Sequence, residues 1–493
     1  MSPALWIAAA LALALGAGLR LVDLEHNPPG MWQDEASTAV DALSIMRTGK
    51  DRSGRPWPVI SPSFGDYPLA GYRYALIPVI KTLGLSIGTH RLVSAIAGTL
   101  LLLAAALLVR GRLGDHAALG ALLSGAITPT WIHYSRYGSE AMLLPACLAL
   151  GALFAEKARR EERPRWLYAS AVALGASAYT YHAVKLMLPL WGLALLWLEW
   201  STVRAFFHKN KWSVLGPVGL LLLLVLPAVS AALSPEGMAR ANQVAVWNDR
   251  PLPEALATSL KNYLSFFEPA FLFERASIYT AMSFPGLGAY SVFDAPFIVL
   301  GGVLALWRRR QDRFYGFVLL WLLIGPLPGA IGSDAHNCGR VVGWLPALPM
   351  LAAIGFGATL QGLLRLPRIG RALTLLPLAA AYLYVALGTV DRVMLVYPHV
   401  ADIAWQFEPN RALVAAREQR RGRRVIVSPA FQMAELFARF HLDGVPWTLG
   451  TRGVVGPGEI YAAPADKVPV RGAVVTEIKD HDGKVKARVF VSE

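Results

Sequence analysis

The chain has 493 residues, of which 55% are hydrophobic and 16% are charged. A single soluble core does not bury that many apolar side chains, and a mean hydropathy of +0.43 excludes disordered, collagen-like and coiled-coil chains. The formal net charge of +14 would suit a nucleic-acid partner, but the basic residues lie between apolar runs. We therefore predict a membrane protein without a nucleic-acid partner.

Eleven apolar runs are long enough for membrane helices of about 20 residues. They lie near residues 4–23, 90–110, 116–134, 140–156, 166–183, 184–200, 213–233, 290–307, 314–332, 341–362 and 371–391. The first is predicted to be an anchor, because it lacks the basic start and the cleavage site of a signal peptide. The fold class predicted is a polytopic α-helical membrane protein with about eleven transmembrane helices.

The distribution of Lys and Arg predicts the orientation, because cytoplasmic connections are rich in these residues. With the N-terminus inside, the connections that follow the even-numbered spans hold seventeen Lys and Arg, and the short opposite loops hold three. The C-terminal segment is then predicted to lie outside.

Three predicted outer segments are sizeable, namely residues 24–89, 234–289 and 392–493. In the first, residues 34–48 and 72–83 have the pattern of amphipathic helices that are too short to span and suit the membrane interface. In the last, helix-like and strand-like runs alternate. These runs are helices near 411–420 and 430–440 and strands near 424–428, 473–475 and 487–491. The domains predicted are a membrane module over residues 1–391 and a small extracytoplasmic α/β domain over residues 392–493.

The first outer segment contains an acidic pair, Asp34 and Glu35, after a turn at residues 28–30. One interpretation is a helix start, where Asp accepts amide hydrogen bonds and the helix dipole favours Glu. The other is a catalytic carboxylate, and the spacing leaves both open. Further along, Asp66 and Tyr67 lie in an aromatic turn that an interfacial aromatic belt explains only in part.

The short outer loops concentrate ionisable residues. Arg136 and Glu140 have the spacing of a surface ion pair, although an acid at the start of a span is costly unless it is paired or used. Two other loops supply similar residues: His182, Lys185, His336 and Arg340. Snorkelling, in which a long side chain extends its charged end into water, explains the positions of Lys185 and Arg340 individually. Together with Arg136 they lie on one predicted face, where they could bind a lipid phosphate.

The sequence lacks the motifs of several common classes of active or binding site. No H-x-x-H or C-x-x-C spacing supports a metal site, so no metal ligands and no required cofactor are predicted, and dependence on a divalent metal stays open. The sequence also lacks a phosphate-binding P-loop, a G-x-G-x-x-G turn and a G-x-S-x-G motif. These absences argue against nucleotide chemistry and serine hydrolysis.

The segment Trp32-Gln33-Asp34-Glu35, followed by Asp66-Tyr67-Pro68-Leu69-Ala70-Gly71-Tyr72, resembles the first outer loop of a known enzyme group. That group is the polyprenyl-phosphate-dependent membrane glycosyltransferases of the GT-C fold. It includes the lipid A aminoarabinose transferase and the protein O-mannosyltransferases, with a bacterial branch similar to family GT39. The likeness extends through Arg91 to Val93 and the loop at 136–140, and weaker matches continue to about residue 390.

This resemblance implies an inverting transfer of a sugar from a polyprenyl-phosphate carrier to a hydroxyl acceptor, at the outer face of a bacterial cytoplasmic membrane. It implies that Asp34 is the general base, that Arg340 is the main clamp on the donor phosphate, and that Arg136 and Lys185 assist. Glu35 and Glu140 would orient the site, with Glu140 counted among the catalytic residues. Asp66, Tyr67, His182 and His336 are further candidates for substrate binding. The partners implied are the lipid-linked donor, membrane lipids and an acceptor that could be protein, glycolipid or polysaccharide.

Two positions depart from the aminoarabinose transferase, because Tyr67 stands where that enzyme has lysine and Glu140 where it has aspartate. Two other functions remain open. A transporter or flippase of a lipid-linked molecule is suggested by prolines within the spans, since broken helices serve transport sites. A catalytically silent GT-C subunit of a membrane complex is the other.

Overall fold

The computed structural model describes residues 3–277, 279–333, 337–466 and 470–492. The chain divides into two compact units. The first, here called the membrane unit, comprises Met1–Val22, Val59–Tyr72 and Ser94–Arg392. The second, here called the loop–tail unit, comprises Asp23–Pro58, Arg73–Val93 and Val393–Glu493. Two segments of the predicted first outer loop therefore belong to the same unit as the C-terminal tail.

Helices dominate the described chain. The first ten are α1 (Pro3–Leu21), α2 (Gln33–Thr48), α3 (Gly71–Leu83), α4 (Ile87–Leu113), α5 (Asp115–Ile127), α6 (Pro129–Arg136), α7 (Leu143–Glu161), α8 (Arg165–Ser177), α9 (Val184–Lys209) and α10 (Trp212–Ala232). The others are α11 (Pro235–Val244), α12 (Leu252–Ser265), α13 (Ala295–Arg308), α14 (Arg313–Ile324), α15 (Leu327–Ala330), α16 (Ala347–Leu364), α17 (Arg368–Val390), α18 (Tyr397–Val400), α19 (Phe407–Gln419) and α20 (Ala434–His441).

The eleven predicted apolar runs each contain a helix. Among the described residues, eight helical segments are long and apolar enough to cross a membrane. The runs near 116–134, 166–183 and 290–307 hold shorter helices; in the first, the helix breaks at Thr128, because a residue before proline avoids the helical region. The predicted polytopic helical fold is confirmed, and the count of eleven membrane helices stays a prediction.

The tail of the loop–tail unit carries a five-stranded sheet with the order β2-β1-β3-β5-β4. The strands are β1 (Arg424–Val427), β2 (Trp447–Leu449), β3 (Glu459–Pro464), β4 (Ala473–Lys479) and β5 (Val485–Val491). β1 pairs in parallel with β2 and β3, and β5 runs antiparallel to β3 and β4. The predicted α/β fold of the tail is confirmed, and its assignment as a separate domain over residues 392–493 stays a prediction. Strands β2 and β3 were not predicted; in β3, residues 460–463 are all buried, so no alternation of polar and apolar residues marks the strand.

Within the loop–tail unit, the first-loop segment is bound to the tail by side-chain hydrogen bonds. Arg47 of α2 donates two bonds of 2.7 Å to the carboxylate of Asp443, which follows α20. Asn410 of α19 donates at 3.1 Å to the carbonyl of Met31, just before α2. The first contact anchors the last turn of α2. The second holds the residue just before its start, where the acidic pair lies.

Candidate active site

The acidic pair opens α2 in the loop–tail unit. Trp32 is the N-cap residue, and its amide donates at 2.9 Å to the Glu35 carboxylate. Glu35 is buried, whereas Asp34 is exposed. Successive residues on a helix point about 100° apart, so the two acids face different surroundings. The pair therefore divides into a structural acid and an exposed one.

Glu35 is held by Arg91, and both side chains are fully buried, with 0% exposure. Arg91 Nε donates at 2.9 Å to one carboxylate oxygen, and Arg91 Nη2 donates at 3.1 Å to the other. The same guanidinium donates to the carbonyls of Leu24 and Pro28 and lies 5.5 Å from the ring centroid of Trp405. Burial opposes ionisation of Glu35, but the charge and hydrogen bonds of Arg91 prevail and lower its pKa below the usual value. Glu35 thus anchors the turn that precedes α2.

Asp66 lies in a tight turn of the membrane unit. The backbones of Ser63 and Asp66 exchange two hydrogen bonds of 2.8 and 2.9 Å, and Asp66 Oδ1 accepts a bond of 2.7 Å from the amide of Tyr67. Asp66 Oδ2 lies 3.2 Å from His182 Nε2 and 4.0 Å from Arg240 Nε. Partial burial would raise the pKa of Asp66, but His182, the Tyr67 amide and Arg240 lower it below its usual value. The structure therefore brings together three of the predicted residues.

Arg240 and Gln243, which the sequence analysis did not identify, come from α11 in the second large outer segment. Gln243 donates at 2.6 Å to the carbonyl of Gly65. Lys185 donates to a carbonyl in the first turn of α11. A sequence signal for this helix exists, since Ser234 caps it and proline occupies its first position. That signal predicts the helix but not its contacts.

Glycine at position 71 allows the segment 59–72 to approach the 179–185 loop closely. The amide of Gly71 donates at 2.9 Å to the carbonyl of Tyr179, and a Cβ on this residue would lie 2.4 Å from that oxygen. Ser94 donates at 3.1 Å to the hydroxyl of Tyr72 and accepts a bond of 3.2 Å from the amide of Ser139. Residues 59–72 are thereby joined to both the 179–185 loop and the 136–140 loop.

Arg136 and Glu140 have unequal environments. Arg136 is only 1% exposed and donates at 2.9 Å to the carbonyl of Leu19, so it does not form the exposed surface ion pair that its spacing to Glu140 suggested. Its burial follows from its place at the C-terminal end of α6, which is buried throughout. Glu140 begins a 3₁₀ turn and is half-buried. Within the described parts of the chain, no hydrogen bond or ion pair of its carboxylate is found.

Arg340 lies in a 3₁₀ segment, Cys338–Trp344, and is half-buried. Its guanidinium rests on Gly332, where a Cβ would lie 2.1 Å from Arg340 Nη1. Gly332 pairs with Ala245, which directly follows α11. His336 lies outside the described residues. α11 thus contacts the Asp66 turn and ends beside the segment that supports Arg340.

Three cations of the membrane unit that lie near α11 are Lys185, Arg240 and Arg340. Such a group can neutralise an anion such as a phosphate. Among the described residues, no group of three His, Cys, Asp or Glu side chains could hold a metal ion.

Comparison with known proteins gives the context of these residues. Residues 68–230 match the family model described as dolichyl-phosphate-mannose-protein mannosyltransferase. No curated protein sequence matches the chain significantly.

Solved structures match nearly the whole chain. ArnT from Cupriavidus metallidurans in the apo state is 16% identical, with 99% of this chain and 98% of that chain covered and a TM-score of 0.52. ArnT bound to undecaprenyl phosphate is also 16% identical, with coverage of 98% and 97% and a TM-score of 0.51. The oligosaccharyltransferase AglB from Archaeoglobus fulgidus, in complex with an inhibitory peptide and a dolichol-phosphate, is 13% identical, with coverage of 92% and 62% and a TM-score of 0.50.

The predicted resemblance is confirmed by a family segment within the chain and by structural matches along almost all of it. At these identities the structural matches establish the fold. The chain is therefore a polytopic membrane protein with the GT-C glycosyltransferase fold.

Proposed function

We propose that the chain is an inverting glycosyltransferase that moves a sugar from a polyprenyl-phosphate carrier to a hydroxyl acceptor. The fold and the mannosyltransferase segment support a transferase of this type. ArnT has been observed with undecaprenyl phosphate, which supports a lipid phosphate as the donor carrier. One observation carries the proposal. Within the acidic pair, the Glu35 carboxylate is buried in an ion pair with Arg91, whereas Asp34 is exposed.

In the proposed reaction, Asp34 takes the proton of the acceptor hydroxyl as its oxygen bonds to the anomeric carbon of the donor. The bond between that carbon and the phosphate oxygen breaks on the opposite side, so the configuration inverts. The carrier leaves as polyprenyl phosphate, and it needs no acid because cations neutralise its charge. Glu35 acts as a positioning residue, since its bonds fix the first turn of α2 on which Asp34 lies.

For the donor phosphate we propose Arg340 as the main ligand. Lys185 is exposed and Arg240 is 43% exposed, so both can assist. Arg136 is buried and donates a hydrogen bond to a helix carbonyl. We therefore assign it a structural role and not contact with the phosphate. The turn beside Arg240 is held by Asp66, Tyr67 and His182. Glu140 supplies a second carboxylate. His336 stays a predicted substrate-binding residue.

Replacing Arg340 by alanine is expected to weaken donor binding by about 2 to 5 kcal/mol, the usual cost of losing one partner of a partly buried charge pair. Lysine should restore only part of this energy, because it lacks the planar fork of the guanidinium. Binding of a polyprenyl-phosphate sugar to the purified variants measures the effect. Arg309→Ala, at an exposed position after α13, is the control. Unchanged donor affinity in Arg340→Ala would remove this role.

The function is tested by lipid-linked sugar analysis in a strain that lacks the protein. We expect a polyprenyl-phosphate sugar to accumulate, and the wild-type chain, but not Asp34→Asn, to clear it. An unchanged lipid-linked sugar pool, together with no transfer by the purified protein, would contradict the proposal. Transfer is expected to persist in the presence of a metal chelator, and its loss there would show a metal requirement.

We also propose that transfer occurs at the outer face of a bacterial cytoplasmic membrane. The asymmetry of seventeen to three basic residues supports an inside N-terminus and an outside C-terminus. A reporter fused after residue 493 should be active outside the cytoplasm. Activity confined to the cytoplasm would reverse the assignment.

A further inference from the structure

A small cavity lies in the membrane unit where α4 ends and α7 approaches its C-terminus. Its volume is about 80 Å³. It is lined by Leu107, Arg110, Gly111, Leu153, Glu156, Lys157 and Arg160. The leucines give it an apolar part, and three cations surround the rest.

The one carboxylate in the lining does not neutralise these cations, because it is already paired. Glu156 is 2% exposed and contacts Arg112 and, at 2.6 Å, Arg159, neither of which lines the cavity. Arg112 also contacts Glu199 of α9, so the carboxylate belongs to a network that joins three helices.

Among the cavity cations, only Arg110 has a carboxylate partner within the described chain, namely Asp115 at 2.7 Å. Lys157 and Arg160 form no ion pair with a described residue. The nearby acid, Glu161, accepts a hydrogen bond of 2.7 Å from Trp166. The neutral indole leaves the charge of Glu161 in place, so a carboxylate lies near these cations without a direct ion pair. The lining itself holds more positive than negative charge, because it has three cations and one carboxylate that is already paired.

Two tryptophans lie against cations of the cavity lining. Lys157 Nζ lies 4.4 Å from the ring centroid of Trp166, and the Arg110 guanidinium lies 5.5 Å from that of Trp6. Tryptophan is enriched at membrane–water interfaces, and basic pockets between membrane helices bind lipid headgroups. We propose that this cavity binds the phosphate of an anionic phospholipid. Leu107 and Leu153 lie against the apolar part of the lipid.

This site is independent of the proposed transferase activity and of the orientation of the chain. The test uses the purified full chain and native mass spectrometry with phosphatidylglycerol, with phosphatidylcholine and with inorganic phosphate. We expect phosphatidylglycerol to bind at least about ten times more tightly than phosphatidylcholine, since only the former has a net negative charge. Equal binding of the two lipids, or equal binding of inorganic phosphate, would overturn the proposal.

The variant Lys157→Gln/Arg160→Gln should lose this preference, and the control Arg308→Gln/Arg309→Gln, which removes two cations from another basic connection, should keep it. Equal losses in both variants would show a diffuse charge effect and contradict a defined site. Neither residue forms an ion pair with a described residue, so the variant should still fold, although it loses the contact of Lys157 with Trp166. Its thermal unfolding in lipid-free detergent checks this. If the double variant does not fold, Arg160→Gln alone replaces it, with the same expected direction.

Discussion

Asp34→Asn is expected to fold normally and to lose about 10²- to 10⁴-fold in transfer rate, the usual contribution of a general base. Asparagine keeps the size of the side chain and a hydrogen-bond acceptor, so a helix-start role would survive the change with a loss of about 1 kcal/mol of stability or less. A role as general base would be lost, because asparagine cannot take the proton of the acceptor hydroxyl. Transfer rate and donor binding, measured on the same purified protein, separate the two roles.

The matched control is Glu435→Gln, which alters another exposed acid in the first turn of a helix in the loop–tail unit. It should leave the transfer rate unchanged. Near wild-type transfer by Asp34→Asn would remove the catalytic assignment and favour the silent-subunit interpretation. Loss of donor binding in Asp34→Asn would instead indicate that the carboxylate acts before the chemical step.

Glu35→Gln, one residue away, is expected to act on stability. The substitution leaves the fully buried Arg91 without its counter-charge, and breaking such a pair typically costs about 3 to 5 kcal/mol. The free energy of unfolding in detergent, or the thermal midpoint where unfolding is not reversible, measures the effect. The protein that remains folded should retain transfer activity.

The pH dependence gives an independent check on the same pair. Because the pKa of Glu35 is lower in the folded protein, its contribution to stability is present above its unfolded value, near 4.3 for a free glutamate. It is lost as the pH falls through the folded pKa. The stability difference between the wild type and Glu35→Gln should therefore shrink in acid. A difference near zero at neutral pH would show that the pair does not stabilise the fold.

Much of the fold follows from local sequence patterns. A run of apolar residues long enough to cross a bilayer must satisfy its backbone hydrogen bonds internally, so each predicted run contains a helix. Amphipathic spacing placed α2 and α3 within one residue of their observed starts. The exposed acid Asp34 was likewise singled out by its place in a motif. Such signals depend on neighbours in sequence.

Contacts between distant segments required the tertiary structure. Glu35 meets Arg91 across 56 positions, and Asp66 meets His182 and Arg240 because a distant loop and the helix α11 converge on one turn. No periodicity encodes such a meeting, since the pairing energy exists only after the chain has folded. Likewise, β3 is recognisable only between β1 and β5, where burial on both faces removes the alternation that marks an exposed strand. Sequence alone therefore predicted the apolar helices and singled out Asp34, whereas packing decided that Glu35 and Arg136 are buried, that Asp34 is exposed and that α11 contacts the Asp66 turn.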